Sequence, residues 1–236
     1  MTYTYCVFGE GPNDIGIVAY GDNNKISQEG CYAGYLKAAF PVKDLKCRRA
    51  EKLKNIKLPG EGMKRSVANK LTGYRYHAYY AARMAATDGA DILLIGADVD
   101  RGRSANSTAA ERVKALHNYR KEFADGYKIA CKENPSVEQI RFFIIVPLCK
   151  LESWLLADEK AFFKATGIKR GELPKQPEKM FGVTDSKIIL NSLFEKRGKG
   201  TPCTAILFDI ARKSSPDVLS VMCPNSYTPF LAMCKS

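Results

Sequence analysis

Three short runs of the chain, residues 3–8, 91–97 and 140–146, are apolar at nearly every position. Uninterrupted runs of this length, bounded by Gly, Pro and polar residues, predict strands covered on both faces. Between them the pattern becomes helical. Residues 64–87 are rich in Ala and Tyr and end before Gly89; residues 107–132 open on a Ser or Thr cap and stop before Pro135. Strands alternating with helices predict an α/β fold, a mostly parallel central sheet flanked by helices. Residues 147–158 predict a turn entering a helix that carries the only tryptophan, Trp154. Beyond Gly167 the pattern is helical but broken by Gly and Pro, with short helices expected at 186–196 and 204–213. The expected organisation is an α/β domain over residues 1–166 and a helical C-terminal extension over 167–236 packed on the same domain. Residues 21–62 show no clear period.

Composition narrows the setting. A chain of 236 residues with 45% hydrophobic and 26% charged positions is that of a globular protein able to bury a full core. No apolar run reaches the roughly 18 residues of a membrane helix. No basic stretch precedes an apolar one at the N-terminus, so no signal peptide is expected. Eight scattered cysteines without a CxxC pair, with only two histidines, speak against a structural zinc site and for reduced thiols in the cytoplasm. The net charge of +12 is concentrated: residues 43–83 hold twelve Lys or Arg against Asp44, Glu51 and Glu61. A local excess of this kind suits a polyanion, and Arg48, Arg49, Lys64, Arg65, Arg75 and Arg83 are its candidate phosphate contacts. The competing explanation is that excess cations keep a protein soluble. The tyrosines of residues 74–83 admit base stacking or packing on the sheet, and helical spacing of Tyr76 and Tyr80 favours packing.

The polar residues that interrupt the strand pattern are acids. The run over residues 91–97 ends in Asp98-Val99-Asp100, two carboxylates on one face of an extended segment. The first run ends in Glu10 between two glycines, with Asp14 four residues on, and the third leads to Glu152 in the first turn of the predicted helix. In parallel sheets ligands bind beyond the carboxyl ends of the strands, where all five acids fall. Clustered carboxylates need a counter-charge, and a hard divalent cation is the usual one. Each acid also has a plain alternative: Asp-x-Asp occurs in sugar-nucleotide transferases, phosphatases and capped turns, and Asp14 and Glu152 suit helix N-termini. Arg101 and Arg103, directly after the Asp-x-Asp, are further candidates for phosphate contact.

In this order the residues resemble the Toprim fold of primases, topoisomerases and OLD-type nucleases. They are more specifically similar to the small Toprim-like proteins of bacterial defence islands. The resemblance rests on Glu10-Gly11-Pro12-Asn13-Asp14, Asp98-Val99-Asp100, and the stretch from Pro147 through Glu152, Trp154 and Asp158. It extends to Ser186-Lys187 and to Pro224-Asn225-Ser226-Tyr227. It implies a Toprim-like, Rossmann-like sheet and a Mg²⁺- or Mn²⁺-dependent nuclease acting on DNA or RNA, tRNA included. Asp98, Asp100 and Glu152 would hold one ion, Glu10 and Asp14 a second, and Lys187 would offset charge in the transition state. It further implies an antiphage effector paired with an ABC- or SMC-like ATPase, with a homo-oligomer also compatible. Lys150 departs from the OLD pattern, in which a serine accompanies the third acid. The alternative function is a non-catalytic Toprim-like subunit that reads nucleic acid within an ATPase complex.

Overall fold

The computed structural model describes residues 2–18, 26–40, 44–56, 71–99, 107–169, 171, 177–180 and 185–236. In chain order the elements are β1 (Tyr3–Gly9), α1 (Pro12–Ile15), β2 (Gly16–Val18), β3 (Ile26–Glu29), α2 (Cys31–Ala39), β4 (Leu45–Lys52), α3 (Gly73–Thr87), β5 (Ile92–Gly96), α4 (Ala109–Glu133), α5 (Pro135–Glu138), β6 (Arg141–Ile145), α6 (Glu152–Ala157), α7 (Glu159–Thr166), α8 (Ser186–Glu195), α9 (Thr204–Lys213), α10 (Pro216–Met222) and α11 (Tyr227–Lys235). Four strands form one all-parallel sheet in the order β4-β1-β5-β6, while β2 and β3 pair antiparallel beside it. The arrangement is α/β and Rossmann-like, as the alternation of strand and helix patterns predicts.

The strand order places the crevice. From β1 the chain crosses to β4 on one side, then returns past β1 to β5 and β6 on the other. The winding therefore reverses between the neighbouring strands β1 and β5. Loops leaving such a pair diverge and open a cleft beyond the carboxyl ends.

Alternate strand residues feed two cores. Tyr5, Val7, Ile92, Leu94, Phe143 and Ile145 pack with α2 and with α6 through α11. Cys6, Phe8, Leu93, Ile95 and Ile144 pack on the other face with α3, α4 and α5. The C-terminal helices thus complete one face of the sheet and share its core with the strands.

Two departures from the sequence pattern have physical causes. The helix expected from residue 64 starts, in the described residues, at Gly73: Thr72 is extended and Gly73 has φ +61°, which closes the helix on that side. Lys64 and Arg65 lie outside the described residues. Within the illegible stretch, β4 reads Leu-Lys-Cys-Arg-Arg-Ala-Glu-Lys. It is one of the sheet's two edge strands, and edge positions tolerate the charges that hide a strand signal. The α4 start is orthodox: Thr108 Oγ1 accepts from the Glu111 N–H at 3.2 Å, and the Glu111 carboxylate accepts from the Thr108 N–H at 2.7 Å.

Candidate metal and phosphodiester site

Glu10 follows the last residue of β1, Asp14 sits in the one-turn α1, and Asp98 stands two residues past β5. Glu152 is the first residue of α6, and Lys187 the second of α8. These five line one cavity of about 280 Å³, together with Gly11, Cys31 at the start of α2, and Leu151. Four of the five acids singled out in the sequence are therefore brought together. Asp100, Arg101 and Arg103 lie outside the described residues.

Two glycine contacts set this geometry. A Cβ on Gly96 would fall 2.3 Å from the Ile145 carbonyl oxygen and 2.8 Å from the Tyr32 ring, so only glycine lets β5 end this close to β6 and α2. A Cβ on Gly30 would lie 2.5 Å from the Asp14 carbonyl oxygen, so glycine there holds α1 against the start of α2 and sets Asp14 beside Cys31. The Gly11 N–H donates to Asp14 Oδ2 at 2.8 Å, which fixes the carboxylate inside its own turn.

The electrostatics are those of acids short of cations. Burial raises Asp14 from 3.8 to about 7; the Gly11 N–H opposes this, and the charges of Glu152 and Glu10 add to it. Burial pushes Asp98 well above the carboxylate range, with Asp14, Glu152 and Glu10 adding to the rise and the Leu151 N–H opposing it. Its Oδ1 is buried and accepts no hydrogen bond among the described residues. Glu152 is raised by burial too, but a backbone hydrogen bond and then Lys187 and Lys150 hold it back. A buried carboxylate oxygen without a donor, facing three like charges, is the environment that a divalent ion relieves. Asp98, Asp14, Glu10 and Glu152 thus have the hard-donor chemistry that Mg²⁺ or Mn²⁺ takes. Among the described residues, however, no three His, Cys, Asp or Glu are grouped closely enough to hold an ion by themselves.

The cationic side of the cavity is built by a residue the sequence reading passed over. Asp185 caps α8, its Oδ1 accepting from the Lys187 N–H at 2.8 Å, while its Oδ2 forms an ion pair with Lys150. Its signal was present as the Asp before Ser186-Lys187, a helix-cap pattern. Lys150, the departure from the OLD pattern, is thereby tied to the start of α8.

The Pro-Asn-Ser-Tyr segment is structural. Glu178, fully buried, accepts at Oε1 from the Asn225 N–H (3.0 Å) and Nδ2 (2.6 Å) and at Oε2 from the Ser226 N–H (3.0 Å) and Oγ (2.6 Å). Trp154 Nε1 donates to Ser226 Oγ at 2.8 Å, and Arg120 donates to the carbonyls of Asn225 and Ser226. Burial lowers Arg120 to about 10 against the opposing charge of Glu178. The network pins Trp154, and with it the short helix that presents Glu152. Nothing in the sequence marks Glu178.

The candidate phosphate contacts divide. Arg49 makes a two-pronged ion pair with Asp88, Arg75 faces Asp125 at 3.8 Å, and Arg83 faces Glu133 at 3.9 Å while donating to the Tyr79 hydroxyl. Arg48 is exposed on β4. Tyr79 and Tyr80 are buried in the second core, the Tyr76 ring lies tilted against Tyr80 at 4.7 Å, and His77 lies among Tyr74 and Tyr76. The tyrosines therefore pack, as their helical spacing favours. No helix of the described residues is long and apolar enough to cross a membrane.

No protein-family model, curated protein or solved structure matches the chain.

Proposed function

We propose that the protein is a Toprim-like, divalent-metal-dependent nuclease that cleaves phosphodiester bonds of DNA or RNA. The observation that carries this reading is the convergence of Glu10, Asp14, Asp98 and Glu152, from separate points of the chain, on one cavity that Lys187 also lines. The resemblance assigns Asp98 and Glu152, with Asp100, to one Mg²⁺ or Mn²⁺, and Glu10 with Asp14 to a second. Bound there, the cations supply Lewis-acid polarisation of a phosphoryl oxygen and a more acidic attacking water. The chain's own part is positioning. The Gly11 backbone leaves room beside Glu10 for a phosphate, and Lys187 adds positive charge where the phosphoryl group gathers negative charge. Asp185 orients the turn that carries Lys187.

Purified protein incubated with plasmid, tRNA and total RNA in Mg²⁺ or Mn²⁺ is expected to cleave at least one of them. EDTA, Glu10→Ala and Asp98→Ala are each expected to stop it. Cleavage that survives EDTA, or persists in both variants, removes the proposal.

A second reading has one observation on its side, the absence among the described residues of three grouped ligands. In it the chain is a non-catalytic nucleic-acid-binding subunit of an ATPase complex, and acid-to-alanine variants keep their biological activity. The setting we propose for the nuclease is antiphage defence in the cytoplasm, restrained by an ABC- or SMC-like ATPase partner. Co-expression with such a partner is expected to relieve growth toxicity that Asp98→Ala also abolishes.

A further inference from the structure

Of the arginines marked by sequence as a polyanion surface, three face acids of their own fold: Arg49 meets Asp88, Arg75 meets Asp125 and Arg83 meets Glu133. Another surface holds cations that meet no acid among the described residues. The C-terminal ends of α7 and α8 adjoin: Lys199 Nζ donates to the Thr166 carbonyl at 2.6 Å, and Phe162 meets Phe194 edge to face at 6.3 Å. Around that junction Lys160, Lys164, Lys169, Lys196, Arg197 and Lys199 are all exposed, and none forms an ion pair among the described residues. Only Glu159 and Glu195 oppose them in these two segments. Phe163, 48% exposed, stands among them.

Local stability explains part of this set and leaves part over. Cations near a helix C-terminus are favoured by the helix dipole, which covers Lys164 and Lys196. Lys160 lies in the first turn of α7, where the dipole opposes it, and it stands four residues before Lys164, a like-charge spacing that costs stability. A surface that keeps such costs, with an aromatic ring in its midst, has the composition of a groove that tracks a nucleic-acid backbone. Its place fits as well. Lys187 lines the cavity at one end of α8 and Arg197 lies past the other, roughly 15 Å along the axis at about 1.5 Å per residue.

We infer that the α7–α8 surface is the nucleic-acid-binding face, holding the strand a few phosphates away from the cavity at the start of α8. This rests on the reading of the protein as a nuclease, but binding can be measured with cleavage switched off.

Fluorescence anisotropy in EDTA, with 20-nucleotide single-stranded DNA, duplex DNA and RNA, compares wild type with Lys164→Glu/Lys196→Glu/Arg197→Glu and with Arg75→Ala/Arg83→Ala. The α7–α8 variant is expected to raise Kd at least tenfold at 100 mM salt for whichever nucleic acid binds, and to flatten the slope of log Kd against log salt by about 2, following roughly 0.7 released counterions per phosphate contact on a single strand. The α3 variant is expected to change Kd less than threefold. Equal affinity of wild type and the α7–α8 variant, with both folded by circular dichroism, overturns the inference and leaves the nuclease reading standing. Loss carried by the α3 variant overturns it equally. Wild type that binds no nucleic acid but binds vesicles of anionic lipid overturns both.

Discussion

Asp98→Asn is expected to make the metal-free protein more stable and the enzyme inactive. The carboxylate has one buried oxygen with no hydrogen bond among the described residues and faces Asp14, Glu152 and Glu10. A neutral amide of the same shape removes that repulsion and can donate to the neighbouring acids. A charged group left unsatisfied in a buried site costs about 1–3 kcal/mol or more. At roughly 2–4 °C per kcal/mol for a chain of this length, Tm in EDTA should rise by about 2–12 °C. Cleavage should fall by about 10²–10³-fold, the scale of losing one preorganised electrostatic contact to the transition state. The opposite signs matter, because a merely structural aspartate would lose stability and activity together. An unchanged or lower Tm with full cleavage would place Asp98 outside the site.

Glu178→Ala is expected to be the most destabilising single change among the residues described above. It removes the acceptor of four donors, the Asn225 N–H and Nδ2 and the Ser226 N–H and Oγ, and strips the opposing charge from half-buried Arg120. Breaking one partner of a buried charge network costs about 3–5 kcal/mol, a large share of a domain's typical 5–15 kcal/mol. Urea denaturation should show the midpoint falling accordingly, with Glu178→Gln losing less because an amide keeps one acceptor. A loss under about 1 kcal/mol would mean that Trp154 and α6 are held by packing alone. Because the network supports the helix that carries Glu152, a variant that stays folded should also bind metal more weakly.

How much was legible in the sequence follows from how local each signal is. β1, β5 and β6 were readable because most of each strand is buried and apolar, with Val7, Leu94 and Ile145 feeding one core and Phe8, Ile95 and Ile144 the other. The acids Glu10, Asp14, Asp98 and Glu152 were readable because they stand where those runs stop. β4 was not: its outer-edge position lets Lys46, Arg48 and Arg49 interrupt the pattern. The α3 arginines misled for a related reason. Charge was counted along the chain, whereas Asp125 and Glu133, which face Arg75 and Arg83, arrive from α4 about fifty residues later. Glu178 carries no sequence signal, since its four donors come from the chain's C-terminal segment. Cys31 lines the cavity only because Gly30 lets α1 and α2 approach closely, a tertiary contact with no local mark.

The acids at the strand ends are expected to hold a divalent cation. Titration of Mn²⁺ into the purified protein without nucleic acid, followed by electron paramagnetic resonance of the free ion, tests it most directly. Wild type should bind one or two ions, Mg²⁺ should compete for them, and Asp98→Ala should lose at least one while remaining folded. Mn²⁺ uptake that is absent in wild type, or identical in Asp98→Ala, would contradict the account.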